Sequence, residues 1–312
     1  MLRRDFNLGL CYLALTSHVW ASDRRSRGPL FWVATRGHAR VFLMGFGHAK
    51  KTDESWLTPS IRQALRESSE LWLEVAPPDV SANEPNAHEE YEKLGHEPPG
   101  RTLFDELDPR VRERVLDWMT KLGVKKESVE SLRPWRAYYA LNSAFWSRTK
   151  LPYESVNVDE VLRKVAVEQG TPVHYEMPSG VAFARFMAAM SAAAQSQYIE
   201  WLLDFFEEHR RGFDEASSFD WMTGHPAAAP RSLDRMRSMP QLYDAMQVKR
   251  NAWWAHKIDD LLKTDQTCFI GIGELHVLGP DGIPSQLRRL NVVGPSNLRE
   301  NPSVEREGKR VY

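Results

Sequence analysis

Two short apolar runs, Leu30 to Ala34 and Ala39 to Met44, flank the polar turn Arg36-Gly37, a pattern that predicts a β-hairpin. From Trp56 to Glu70 the apolar positions recur at helical spacing, and Pro59 stands where a first helical turn tolerates it. Leu71 to Val75 is a strand-like run, whereas residues 77–101 carry five prolines among polar residues and predict an exposed loop or insert. Helical periodicity then covers Pro109 to Leu122, Pro134 to Phe145, Val158 to Glu168, Gly180 to Arg210 and Met239 to Leu262, with a short strand from Pro172 to Tyr175. The expected architecture is α/β with a large helical middle, spanning residues 30–295, followed by a solvated tail over 296–312.

One local pattern occurs twice. Val41 to Gly47 leads to His48, then a polar loop, Pro59, a helix from Ser60 to Ser68 and the strand Leu71 to Val75. Cys268 to Leu275 leads to His276, then a loop, Pro284, a helix from Ser285 to Leu290 and a strand at Asn291-Val292-Val293. Each copy reads strand, Gly-x-x-His, loop, proline, helix, strand, which is what a duplicated half-domain leaves behind. Strand–helix–strand units favour parallel crossovers, and ligands collect beyond the carboxyl ends of such strands. Both histidines fall there, and the glycines before them are expected to allow a sharp turn and a close approach to a ligand. If the halves pack about a pseudo-twofold axis, His48 and His276 converge on one site.

Imidazole is the commonest protein ligand for a divalent ion, and a catalytic site adds a carboxylate while leaving a position open for water. Glu74 is the candidate carboxylate, because it interrupts an apolar strand where an unpaired charge is costly. Two alternatives stand beside it: Glu74 pairs with an arginine such as Arg250, and the histidines are hydrogen-bonded structural residues.

Composition changes the picture at three points. With 41 basic against 42 acidic residues and no long basic cluster, nucleic acid is excluded as a partner. Arg3-Arg4 followed by an apolar run from Leu8 to Thr16 reads as an export signal over residues 1–21, with a basic linker over 22–29; the order Arg3-Arg4-Asp5-Phe6-Asn7-Leu8 resembles a twin-arginine signal. A periplasmic or secreted protein without a stable membrane span follows. Cys11 leaves with that signal, so Cys268 cannot form an internal disulfide and reads as a small buried hydrophobe. Gly45-Phe46-Gly47 and Gly271-Ile272-Gly273 lack the third glycine of a dinucleotide fingerprint, and His88-Glu89-Glu90-Tyr91-Glu92 lacks the last histidine of a zinc-protease helix.

Leu43 to His48, Leu71 to Val75 and Gly271 to Gly282 together resemble the TraB/PrgY/GumN family, which includes the animal Tiki metalloproteases. Asn157-Val158-Asp159, Pro172 to Glu176, Trp221 to Gly224 and Lys249 to Trp253 are similar to it in the same order, so the resemblance covers roughly residues 30 to 294. It implies an α/β fold akin to the erythromycin-esterase and ChaN-like proteins, with His48, His276 and Glu74 in the site. Phe46 replaces the usual threonine of the first motif, and His225 stands where an acidic residue commonly follows Trp-x-x-Gly.

The expected chemistry is hydrolysis of a peptide or small-molecule substrate. His48, Glu74 and His276 would hold a divalent ion of the manganese, cobalt or zinc class, whose bound water attacks an amide or ester carbonyl. Arg250 and Asn251 would orient Glu74 or steady the oxyanion. Asp159 and Glu176 are further ligands or outer partners, or else helix-start and structural carboxylates. The same residues allow a metal-free route in which a His-Glu pair acts as general base. A non-catalytic alternative is haem or ligand binding, with Met44 and Trp254 lining the pocket.

Overall fold

The computed structural model describes residues 28–47, 49–50, 55–77, 86–148, 156–210, 220–224 and 228–297. The hairpin forms as β1 (Leu30–Arg36) and β2 (Ala39–Phe46), antiparallel from Leu30 opposite Gly45 to Arg36 opposite Ala39. Gly37 turns it at φ +58°, a conformation that suits glycine. With β4 (Glu70–Val75), β6 (Val173–Met177), β7 (Thr267–Gly273) and β8 (Val293–Asn297), the hairpin builds a six-stranded sheet in the order β6-β4-β7-β2-β1-β8. The pairs β2–β7, β7–β4 and β4–β6 are parallel. Ala49–Lys50 (β3) and Val156–Asn157 (β5) form a separate two-stranded pair.

Alternation along the central strands assigns the layers. Phe42, Met44 and Phe46 of β2 and Phe269 of β7 face one side, packing on α1 (Pro59–Glu67) through Ile61 and Leu65 and on α6 (Val158–Glu168) through Val158 and Leu162. Val41 and Leu43, with Cys268, Ile270 and Ile272, face the other, packing on α11 (Lys249–Leu261) and α12 (Ile283–Arg289). Strands buried on both faces read as continuous apolar runs, which is how β2 and β7 appear in the sequence. Each fully buried Leu or Ile contributes about 1.5–3 kcal/mol.

The two echoed units occupy related positions. From β2 the chain runs through α1 to β4, crossing β7; from β7 it runs through α12 to β8, crossing β2 and β1. The crossovers travel in opposite directions over opposite faces. A twofold relation between β2 and β7 produces that arrangement while keeping one handedness.

The helical middle has its own core. Helices α4 (Pro109–Leu122), α5 (Pro134–Arg148) and α8 (Ala192–His209) pack around Trp118, Leu141, Phe145, Leu203 and Phe206, with Phe145 stacked on Phe206 at 4.3 Å. Local chemistry sets their ends: the Asp108 side chain accepts from Arg110 N at the start of α4, and Gly123 closes it at φ +62°.

Four expectations are corrected. The stretch over 77–101 is not simply a loop: among its described residues, α2 (Ala87–Gly95) is a helix, because Pro85 and Pro98 flank it rather than interrupt it. His88 and Glu89 lie on this helix, held by Tyr91 against Trp135 at 5.7 Å and by Arg136 to Glu92 at 2.6 Å. The run from Gly180 to Arg210 divides into α7 (Gly180–Ala189) and α8, since Met190 is extended and Ser191 caps α8 by accepting from Ala194 N. The last strand is Val293–Asn297, not Asn291 to Val293; Ser296 and Asn297 therefore belong to the sheet, pairing with Val33 and Trp32. Pro295 removes a donor there, which an edge strand tolerates. Helices α3 (Leu103–Glu106) and α9 (Ala228–Arg237) were not anticipated. The leader over residues 1–21, His225 and residues 298–312 lie outside the described residues.

Candidate active site

Parallel pairing of β4 and β6 sets Leu73 opposite Tyr175 and Val75 opposite Met177, so Glu74 and Glu176 stand side by side near the carboxyl ends of their strands. Two adjacent buried carboxylates repel unless a cation lies between them. Arg250 supplies it. Its Nε donates to Glu176 Oε1 at 2.8 Å, and its Nη2 donates to Glu176 Oε2 at 2.5 Å and to Glu74 Oε2 at 2.6 Å. The other Glu74 oxygen accepts from Gly273 N at 2.5 Å, at the end of β7. Trp254, one turn beyond Arg250 on α11, donates its Nε1 to Glu176 Oε2 at 2.9 Å.

His276 completes the cluster from the short helical turn Glu274–Val277 that follows β7. Arg250 Nη1 lies 3.1 Å from His276 Nε2, and since a guanidinium can only donate, Nε2 is the acceptor. Nδ1 therefore carries the proton and donates to Asn251 Oδ1 at 2.6 Å, while Asn251 Nδ2 donates to the Asp281 carbonyl at 2.8 Å. Arg250, Asn251, Glu74 and His276 are all buried. Burial, and then the Arg250 charge, hold His276 below its ordinary pKa against the opposing pull of Glu74, 3.4 Å away. Burial opposes the charge on Arg250, but its hydrogen bonds to Glu176 and the Glu74 charge outweigh that and raise its pKa.

Glu74, Arg250 and His276 form the polar floor of a cavity of about 1020 Å³, large enough for a drug-sized ligand. Helices of the middle segment wall it with Tyr138, Tyr139, Phe183, Tyr198 and Trp201. Gln247 also lines it, from a π-helical turn (Asp244–Val248) that follows α10 (Pro240–Tyr243) and runs directly into α11. Such turns concentrate at functional sites, and the buried Gln247 amide oxygen has no hydrogen-bond partner among the described residues.

Of the residues singled out by sequence, Glu74, Arg250, Asn251 and His276 come together with Glu176, the second-rank carboxylate. Asp159 lines the cavity from the first turn of α6, where the Asn157 side chain caps the helix. His48 lies outside the described residues. Gly47 and Gly273 line the cavity, and the motif glycines also serve packing. Gly45, Gly47 and Gly271 do not have positive φ; a Cβ on Gly45 would meet Val277 at 2.5 Å, one on Gly47 would meet Trp221 at 2.6 Å, and one on Gly271 would meet Leu162 at 2.8 Å. They permit close packing under the site. Met44 and Trp254, assigned to a haem pocket by the non-catalytic alternative, are fully buried core side chains. Cys268 is buried and its thiol is pushed up to about 11 by burial, which suits packing and not nucleophilic attack.

A divalent ion on His276 would need the Nε2 lone pair that Arg250 already occupies. His276 Nε2 has one, directed at Arg250 Nη1, and Nδ1 is protonated. Among the described residues no group of three His, Cys, Asp or Glu side chains is arranged to hold a metal ion. While Arg250 keeps this position, His276 therefore offers no lone pair to a metal, and His48 lies outside the described residues.

A mostly parallel sheet with a buried carboxylate–guanidinium–imidazole cluster at the carboxyl ends of its strands defines an α/β protein with a candidate site there. The chain belongs to the TraB/PrgY/gumN family, whose model matches residues 30–292. No curated protein and no solved structure matches it significantly.

The sequence missed the aromatic wall and Gln247. The dipeptide Tyr138-Tyr139 and the residues before Arg250 carried the only signal, and neither forms a motif without the fold.

Proposed function

We propose that the chain is a hydrolase of ester or amide bonds, acting by general-base attack of water. One observation carries this reading: a neutral imidazole and a guanidinium meet on the floor of a large cavity, each fixed by buried partners. Glu176 grips Arg250 through Nε and Nη2, so the rigid guanidinium presents Nη1 at a fixed position with His276 Nε2 as its acceptor. A substrate carbonyl oxygen would take Nη1 from His276 and receive its charge as the oxyanion develops. The freed His276 Nε2 would then accept the proton of the attacking water. Its lowered pKa keeps it unprotonated near neutrality. Asn251 holds the ring, and Glu74 stabilises the imidazolium that forms.

The test is turnover of a panel of esters and amides by the mature chain, before and after chelation. Chelator-resistant activity that falls at least about a hundredfold in His276→Gln, with the fold retained, is expected. Activity lost on chelation and restored by manganese or cobalt would instead establish the divalent-ion route through His48, Glu74 and His276, with Arg250 displaced from Nε2. We also place the protein outside the cytoplasm, on the leader pattern of residues 1–21; amino-terminal sequencing of the exported protein tests it.

A further inference from the structure

The aromatic wall contains a pair of hydroxyls that the hydrolytic steps above do not use. Tyr139 on α5 and Tyr198 on α8 place their hydroxyl oxygens 3.2 Å apart, and both side chains line the cavity that contains Glu74, Arg250 and His276. The Tyr139 ring is wedged edge-on between Trp135 at 6.4 Å, Phe183 at 5.8 Å and Tyr138 at 5.1 Å. The Tyr198 ring lies flat on Tyr138 at 3.9 Å. These contacts fix the hydroxyls to within a rotation about each C–O bond.

The two differ in exposure: Tyr198 is 5% exposed and Tyr139 40%, so Tyr139 faces the open space and Tyr198 stands behind it. Tyr198 has two hydroxyl neighbours, Tyr138 and Tyr139, and one hydrogen to give them. Donation from Tyr198 to the Tyr139 oxygen leaves the Tyr139 hydrogen for a ligand. Charge points the same way. Although the side chain is exposed along the cavity, the protein packed around it desolvates the Tyr139 phenol and pushes it up to about 12, while the Tyr198 hydrogen bond and the Arg250 charge pull it back. Tyr198 is raised further still, chiefly by burial.

Resting on the hydrolase reading, we propose that Tyr139 is the proton donor to the leaving group, with Tyr198 steadying the phenolate. The site is thereby one for alkyl esters and amides, whose leaving groups need a proton. When the tetrahedral intermediate collapses, the C–O or C–N bond breaks, its electron pair goes to the leaving atom, and that atom takes the Tyr139 hydrogen. The proton that His276 took from water returns to the phenolate through solvent, so acid and alcohol or amine are the only products. An alkoxide is about as basic as hydroxide, whose conjugate acid has a pKa of about 15.7, and transfer from Tyr139 runs downhill. A nitrophenolate leaves without help.

The experiment compares a methyl and a nitrophenyl ester of the same acyl group on the full mature chain, Tyr139→Phe and Tyr198→Phe. Tyr139→Phe is expected to lower kcat on the methyl ester about a hundredfold with KM little changed, and to leave the nitrophenyl ester nearly untouched. Tyr198→Phe shows a smaller loss with the same selectivity, and carries the test should Tyr139→Phe not fold. Equal losses on both esters, no loss on the methyl ester, or a parent chain that cleaves only the nitrophenyl ester overturns the assignment. A parent chain inactive on every ester and amide overturns the hydrolase reading and this role with it.

Discussion

Arg250 bridges two carboxylates and holds a neutral imidazole. Arg250→Met would leave Glu74 and Glu176 buried without their cation, and a loss of about 3–5 kcal/mol in urea unfolding is expected. Arg250→Lys should recover little of it, because an ammonium lacks the planar fork that spans Nε, Nη1 and Nη2. His276 gives a pH prediction. Its folded-state pKa lies below the ordinary 6.5, so under acid conditions the unfolded chain binds a proton that the folded chain does not. The stability it contributes is therefore full above about 6.5 and declines as pH falls from there towards the folded pKa. Thermal melts between pH 7 and 5 should show that decline, and His276→Gln should flatten it; an unchanged slope would count against a neutral buried imidazole.

At the scale of elements, the site depends on how closely the His276 turn rests on β2. Gly45 faces Val277 and the Glu274 backbone across that contact, so Gly45→Ala must move one of them. A loss of about 1–3 kcal/mol and reduced activity are expected from chemical denaturation and turnover. The π-helical turn before α11 is a second device, since it brings Gln247 to the cavity at the cost of a buried oxygen without a partner among the described residues. Gln247→Leu should hold or raise stability by up to about 1–3 kcal/mol, read from the urea midpoint. A clear fall would show that the oxygen has a partner in solution.

The whole molecule joins a sheet that carries the charged residues to a helical middle that roofs them with aromatic rings. Arg250, Trp254 and the Gly273 amide already supply hydrogen bonds to the carboxylate oxygens, so the cluster is held by groups of the chain itself. Dialysis against a chelator should leave the melting temperature unchanged; a fall of many degrees, as in domains that fold on metal, would contradict this. A cavity ligand, by contrast, should raise the melting temperature with its concentration, as any ligand specific to the folded state does.

Much of this was legible in the sequence because it depends on local spacing. The helices Pro109–Leu122 and Val158–Glu168, the hairpin, the strand at Glu74 and the twofold echo around β2 and β7 follow from periodicity and turn chemistry. Pro295 and the polar residues of the last strand carry no alternating pattern, so only its pairing with β1 reveals β8. Likewise, sequence could nominate Glu74, Arg250, Asn251 and His276 but could not choose between a metal centre and an ion pair. The ion pair itself belongs to tertiary structure, because it depends on where one guanidinium on α11 sits relative to carboxylates 176 and 74 residues away along the chain. The Tyr139–Tyr198 pair was invisible for the same reason: side chains 59 positions apart meet only once two helices pack.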